Sequence, residues 1–208
     1  MKIKSLISTL AIAVLALGAA GAVQAADHAP FLVKVGVADV VPASDNGTLA
    51  DGAFTTDVGN SARPSITFEY LITPNIGVEL LAAWPFTNDI RLNGDKLAAV
   101  DVLPPTLSVQ YHFLPETGVS PFIGVGVNYT FMFNEDTKGA LSGSSLDLDD
   151  SWGVAAHFGV DFNVTKSLVI TVDGRWIQME NDVKLDGKGI GTADINPWVW
   201  GLSIGYRF

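Results

Sequence analysis

Three histidines, a serine beside aspartates and a glycine pair are the residues of this 208-residue chain whose types could do chemistry. His28, His112 and His157 could each hold a metal, but a site needs converging ligands and no HExxH-type pair is present. Cysteine is absent, which removes thiolate metal sites, thiol nucleophiles and disulfides. Ser151 could serve a lipid-modifying enzyme as nucleophile, yet it sits among aspartates with no histidine near to activate it. Asp147, Asp149 and Asp150 form an acidic patch without the EF-hand spacing; a solvated loop or a weak divalent-cation site are its two readings. Gly124-Val125-Gly126 suggests a phosphate loop, but it lies in a strand-like run with no helix after it. The expectation is no catalytic residue, no metal and no cofactor.

The chain begins like an export signal. Lys2 and Lys4 precede an apolar run from Leu6 to Gly21, and Val23-Gln24-Ala25 offers small residues where a signal peptidase inspects. Residues 1–25 are read as a signal peptide cleaved after Ala25 rather than a retained anchor, leaving 26–208 as one domain. Beyond that run nothing reaches the roughly 18–20 apolar residues a spanning helix needs. Hydrophobic residues are nevertheless 48% of the chain and charged ones only 16%, against about 25% in soluble domains. The formal charge of −10 makes nucleic acid an unlikely partner.

Apolar residues instead recur with a period of two, the signature of strands with unlike faces. Ile66, Phe68, Tyr70 and Ile72 alternate with Ser65, Thr67, Glu69 and Leu71. Trp198, Trp200, Leu202, Ile204, Tyr206 and Phe208 alternate with Gly201, Ser203, Gly205 and Arg207. Eight such strands are expected, at about 30–41, 62–73, 76–86, 103–113, 121–134, 151–163, 168–180 and 197–208. Their connections alternate long and short, as in an outer-membrane barrel with short periplasmic turns and long outer loops. An eight-stranded lumen has room only for modest side chains, so the bulky face points outward, to lipid. Aromatic residues support this by gathering in two bands. Phe31, Tyr70, Tyr111, Phe113, Phe162, Tyr206 and Phe208 lie near the short turns; Trp84, Phe86, Phe131, Phe133, Trp152, Trp176, Trp198 and Trp200 lie near the long loops. The fold class expected is an all-β, eight-stranded antiparallel transmembrane β-barrel in the outer membrane of a Gram-negative bacterium.

Sorting the inward positions by height divides the lumen. Lys34, Glu69, Glu79, His112, Asp161 and Arg207 form a charged plug near the periplasm, where buried charges must pair. Val40, Leu81, Ala83, Met132, Ile177, Met179 and Val199 line an apolar funnel above it. A funnel on a plug suits a greasy solute that enters from outside and leaves sideways. Pro104 and Pro105 cannot donate ladder hydrogen bonds, so a lateral opening is expected near Leu103 to Thr106, facing strand three or five. The competing reading is that these prolines only end a loop.

The stretches Asn75 to Ala83, Leu103 to Leu107, Gly124 to Thr130, Asp150 to Gly153 and Pro197 to Val199 resemble the OmpW family, as does the ending Gly205-Tyr206-Arg207-Phe208. The resemblance implies an eight-stranded barrel passing small hydrophobic molecules across the outer membrane; some members resemble alkane importers. It also implies that Tyr206 and Phe208 form the signal read by the barrel-assembly machinery. Where it would place a bulky apolar constriction residue facing Leu81, this chain carries Arg175, with Asp173 on the same face. An Arg–Asp pair there would make the waist more polar. The expected partners are thus outer-membrane lipid, the assembly machinery and small hydrophobic solutes. The alternative is a structural or receptor barrel whose long loops dock phage or bacteriocin.

Overall fold

Strands of this kind can cross a bilayer only when every backbone group is paired, which closing into a cylinder achieves, and the chain does so. The computed structural model describes residues 29–43, 46, 48–49, 54–92 and 94–208; the expected signal peptide (1–25), its cleavage site and His28 lie outside them. Eight antiparallel strands build the wall: β1 (Phe31–Val41), β2 (Ser61–Leu71), β3 (Ile76–Ala83), β4 (Thr106–His112), β5 (Val119–Thr137), β6 (Ser151–Asn163), β7 (Leu168–Ile177) and β8 (Trp198–Arg207). Each pairs with its chain neighbours, and β1 also pairs with β8, from Leu32↔Arg207 to Val41↔Trp198. Closure leaves the cylinder without a free edge, the condition for strands to cross a bilayer.

The faces fall as the alternation requires. On β1, Leu32, Lys34, Ala38 and Val40 are buried while Val35 and Val37 are about half exposed. On β5 and β8, Ile123, Val125, Val127, Leu202 and Ile204 face outward. Tyr129 packs edge-on against Phe131 and Trp152, and Trp198 stacks on Trp200, at the long-loop level; Phe31 lies against Tyr70 and Phe208 at the other end. This outward surface is the lipid-facing one. Gly126 of β5 allows the inner packing: a Cβ there would run into the Leu107 carbonyl oxygen and the Ser108 hydroxyl.

The long connections are more ordered than their polar composition suggested. Phe86–Leu92 and Asp95–Leu103 form a hairpin that continues β3 and β4 and also pairs with the top of β5. Glu180–Leu185 and Lys188–Asp194 form another, turned by Asp186 and Gly187, which both carry the positive φ of a tight hairpin. Phe54–Val58 and Leu146–Leu148 add to these hairpins, giving the barrel a β-rich cap.

Several expected boundaries shift. The third strand stops at Ala83 rather than 86, and the fourth starts at Thr106 rather than 103, because Trp84-Pro85 and Pro104-Pro105 interrupt the ladder. The seventh strand stops at Ile177 rather than 180, and the fifth runs on to Thr137 rather than 134. The break at Pro85 slips the alternation by one residue, which turns Phe86 inward. Phe86 is therefore 2% exposed and does not belong to the outer aromatic band.

Candidate functional site

The lower lumen is filled by one ionic network assembled from six strands. Lys34 of β1 reaches both Glu69 of β2 (3.3 Å) and Glu79 of β3 (3.1 Å). Arg175 of β7 donates through Nη2 to Glu79 at 2.6 Å. His112 of β4 bridges Glu69 (2.7 Å) and Asp161 of β6 (3.4 Å), and the Thr171 hydroxyl donates to Asp161 at 2.5 Å. His157 pairs with Asp173 at 3.1 Å and lies 3.0 Å from the Gln110 amide nitrogen. Phe122 packs between the two imidazoles, with its centroid 5.3 Å from His112 and 5.0 Å from His157. Lys34, Glu69, Glu79, His112, His157, Asp161 and Arg175 are all buried.

Five of the six expected plug residues meet in this network. Arg207 stands lower, on the wall of a polar vestibule of about 530 Å³ that opens past Pro115, Glu116 and Lys166. His157 and Gln110, not expected in the plug, also join it, and the inward parity that His157 shares with Asp161 is the signal that marks it. The Arg175–Asp173 pair considered at the waist does not form. Positions two apart on a strand point the same way without touching, so the long guanidinium crosses the lumen to Glu79 and Asp173 takes His157 instead. At the waist, Lys34, Ala38, Glu79, Leu81, Arg175 and Val199 leave a cavity of about 20 Å³, space for little more than one water.

Above the waist the chemistry reverses. Val40, Met132, Ile177, Met179 and Val199 are buried in one apolar cluster, with Ala83 packed against it; Leu81 is partly buried. The cluster runs upward without interruption into the cap, through Phe86, Val102, Val100 and Ala98 to Leu146, Val183 and Ile195. There it encloses a cavity of about 310 Å³ walled by Leu49, Ile90, Val100, Leu148, Val183 and Ile190 among others. Among the described residues, Asn88 is the single polar side chain on that wall.

The wall beside this cluster has a seam. The β3–β4 ladder ends at Leu81↔Thr106, and pairing resumes only at Phe86↔Val102 in the hairpin above. Ala82 to Pro85 thus face Leu103 to Pro105 with no ladder pair between them. Both flanks stay sealed: the Trp84 amide donates to the Pro64 carbonyl (2.9 Å), and the Tyr129 amide to the Pro105 carbonyl (3.1 Å). The ladder also skips Pro104 and Pro105 on the strand-five side, between Leu103↔Phe131 and Thr106↔Asn128, but there the Tyr129–Pro105 hydrogen bond bridges the gap. The unbridged interruption is on the strand-three side.

The acidic patch is drawn into the cap's own structure. Asp149 accepts from Lys184 at 2.8 and 2.5 Å, and this hydrogen bonding raises the pKa of that lysine. Asp150 accepts from the Tyr129 hydroxyl and the Met132 amide, both at 2.9 Å. Ser151 is buried at the top of β6, and its nearest histidine in sequence, His157, is held in the ionic network below.

Comparison with known proteins agrees with this architecture: residues 27–208 match the OmpW family. The chain belongs to that family. This OmpW-family barrel is 36% identical to outer membrane protein W of Salmonella typhi, over 99% of both chains. The crystal structure of the outer membrane protein OprG from Pseudomonas aeruginosa superimposes with a TM-score of 0.78. It is 30% identical and covers 87% of this chain and 96% of that one. The dibenzothiophene metabolism operon protein PahQ of Pseudomonas aeruginosa is 27% identical over 88% of this chain and 90% of its own. The OmpW-family barrel described here is accordingly an outer-membrane protein, and its half-exposed Val, Leu and Ile band is the surface that meets the bilayer.

Proposed function

We propose that this barrel is a passive, non-enzymatic conduit for small hydrophobic molecules, which enter through the cap and leave sideways into the membrane. The observation that carries this reading is the continuous apolar cluster from the cap cavity to the β3–β4 seam, resting on a lumen filled by paired charges. A greasy solute gains by moving along that cluster, since each buried CH₂ is worth about 0.8 kcal/mol. It cannot continue downward, because entering the network would pull apart buried, mutually paired charges. At the seam, parting the wall breaks no ladder pair, so the lipid-facing exit past Leu103, Pro104 and Pro105 is the path of least resistance.

The wall chemistry argues against ions or sugars, which would have to shed their water in a funnel whose described residues offer one polar side chain. PahQ, named for an operon of dibenzothiophene metabolism, supports the same solute class, since that compound is a flat, apolar aromatic. Arg175 does not make the route polar, because Glu79 and the neighbouring His157 engage it at the floor. Tyr206 and Phe208, lipid-facing at the strand end that closes the barrel on Phe31, fit an assembly signal.

Uptake of naphthalene by cells with and without the protein tests the conduit. Faster uptake that saturates is the expected result. Equal uptake, combined with phage or bacteriocin attachment that disappears on deleting the cap hairpins, would replace the conduit with a receptor.

A further inference from the structure

The hairpin that roofs the apolar path has six inward positions: Phe86, Asn88 and Ile90 on one strand, Ala98, Val100 and Val102 on the other. All are at most 8% exposed, and five are apolar. Asn88 is the exception. It is 3% exposed, it lines the cap cavity, and its Oδ1 has no hydrogen-bond partner among the described residues. A buried amide oxygen left unpaired is unfavourable, so its retention on an otherwise apolar wall asks for an explanation.

The same cap shows what a structural asparagine looks like. Asn46 is fully buried, donates to the Asp194 carbonyl at 3.0 Å and accepts from the Val58 amide at 3.0 Å. Both ends are used, and strands are tied together. Other unpaired buried polar atoms occur in the ionic network, in the vestibule and on Ser108, Ser151 and Asn181, but none of these residues lines the apolar cavity. Asn88 combines the two properties.

We propose that Asn88 is a specificity-determining residue, and that the preferred solute is a small, largely apolar molecule carrying one hydrogen-bond donor, a hydroxyl or N–H, which pairs with Asn88 Oδ1. This inference rests on the conduit reading and narrows its solute class. The cavity, at about 310 Å³, lies at the small end of ligand clefts, roughly 300–1,000 Å³, and suits a molecule of one or two rings. A plain hydrocarbon fills the same space but leaves the amide oxygen unpaired. A solute with a single donor satisfies it, and the apolar walls take the rest. One such bond in an apolar site is worth about tenfold in affinity.

Three probes of one size separate the possibilities: naphthol, which donates; naphthyl methyl ether, which only accepts; and naphthalene, which does neither. Binding is measured to the full mature chain in lipid nanodiscs, by titrating each probe against the protein's tryptophan fluorescence and against empty nanodiscs. The expected result is saturable binding of all three, with naphthol tighter by about tenfold. The Asn88→Leu variant should then weaken naphthol to the level of the other two and tighten naphthalene. In native protein, competition by naphthol should be stronger than by either other probe, a readout that needs no variant. Equal binding of the three probes would overturn the role of Asn88 while leaving the conduit standing. Preference for the ether would overturn it by reversing the polarity of the bond. No saturable binding of any probe would overturn both.

Discussion

The two halves of the lumen are built on the same eight strands, yet they solve opposite problems. Below the waist, Lys34, Glu69, Glu79, His112, Asp161 and Arg175 come from six different strands and pair with one another across the bore. Above it, Val40, Met132, Ile177, Met179 and Val199 form an apolar surface that continues into the cap. The lower half holds its walls together through the interior, while the upper half has a wall that stops pairing between Leu81↔Thr106 and Phe86↔Val102. Paired charges below and an interrupted ladder above follow from where charges and prolines sit in the sequence.

The comparison is easiest to break at Glu79, which serves both Lys34 and Arg175. Glu79→Leu leaves two buried cations short of a carboxylate and should destabilise the barrel by about 3–5 kcal/mol, read from urea unfolding in lipid vesicles. Adding Lys34→Met and Arg175→Leu should recover most of that loss, because an apolar replacement strands no charge. A single Glu79→Leu as stable as the native chain would show that the network contributes nothing.

The upper half is probed by function rather than stability. Pro104→Thr with Pro105→Thr returns two donors to the ladder and should lower naphthalene uptake to near the level of cells without the protein, with folding intact on a heat-shift gel. Undiminished uptake would remove the seam as an exit. Val100→Trp should fill the cap cavity, cutting uptake several-fold while overpacking costs about 1–3 kcal/mol in the same unfolding assay. The smallest effect is expected from Lys184→Met, which breaks the solvent-exposed pair with Asp149 and should leave Tm and uptake unchanged, since exposed pairs contribute little.

How much of this was legible without coordinates differs by element. Strands such as Ser61–Leu71 and Trp198–Arg207 are plain in the alternation, because lipid on one side and a narrow lumen on the other impose unlike faces. The cap hairpins were hidden by their polar outer faces and turn residues, which read as loop; only the alternation Phe86, Asn88, Ile90 marked a strand. Inward parity also placed Glu79 and Arg175 in the bore, although they lie 96 positions apart.

By itself, then, the order of residues determined the number of wall strands, which face meets lipid, and the division of the lumen into charged and apolar halves. All three depend on local periodicity and on the volume of individual side chains. Partner choice within the network, the seam on the strand-three side and the isolation of Asn88 were decided only by the closed cylinder. Closure brings distant strands within reach across the bore, and neither an ion pair nor an unpaired amide oxygen exists until that approach is made.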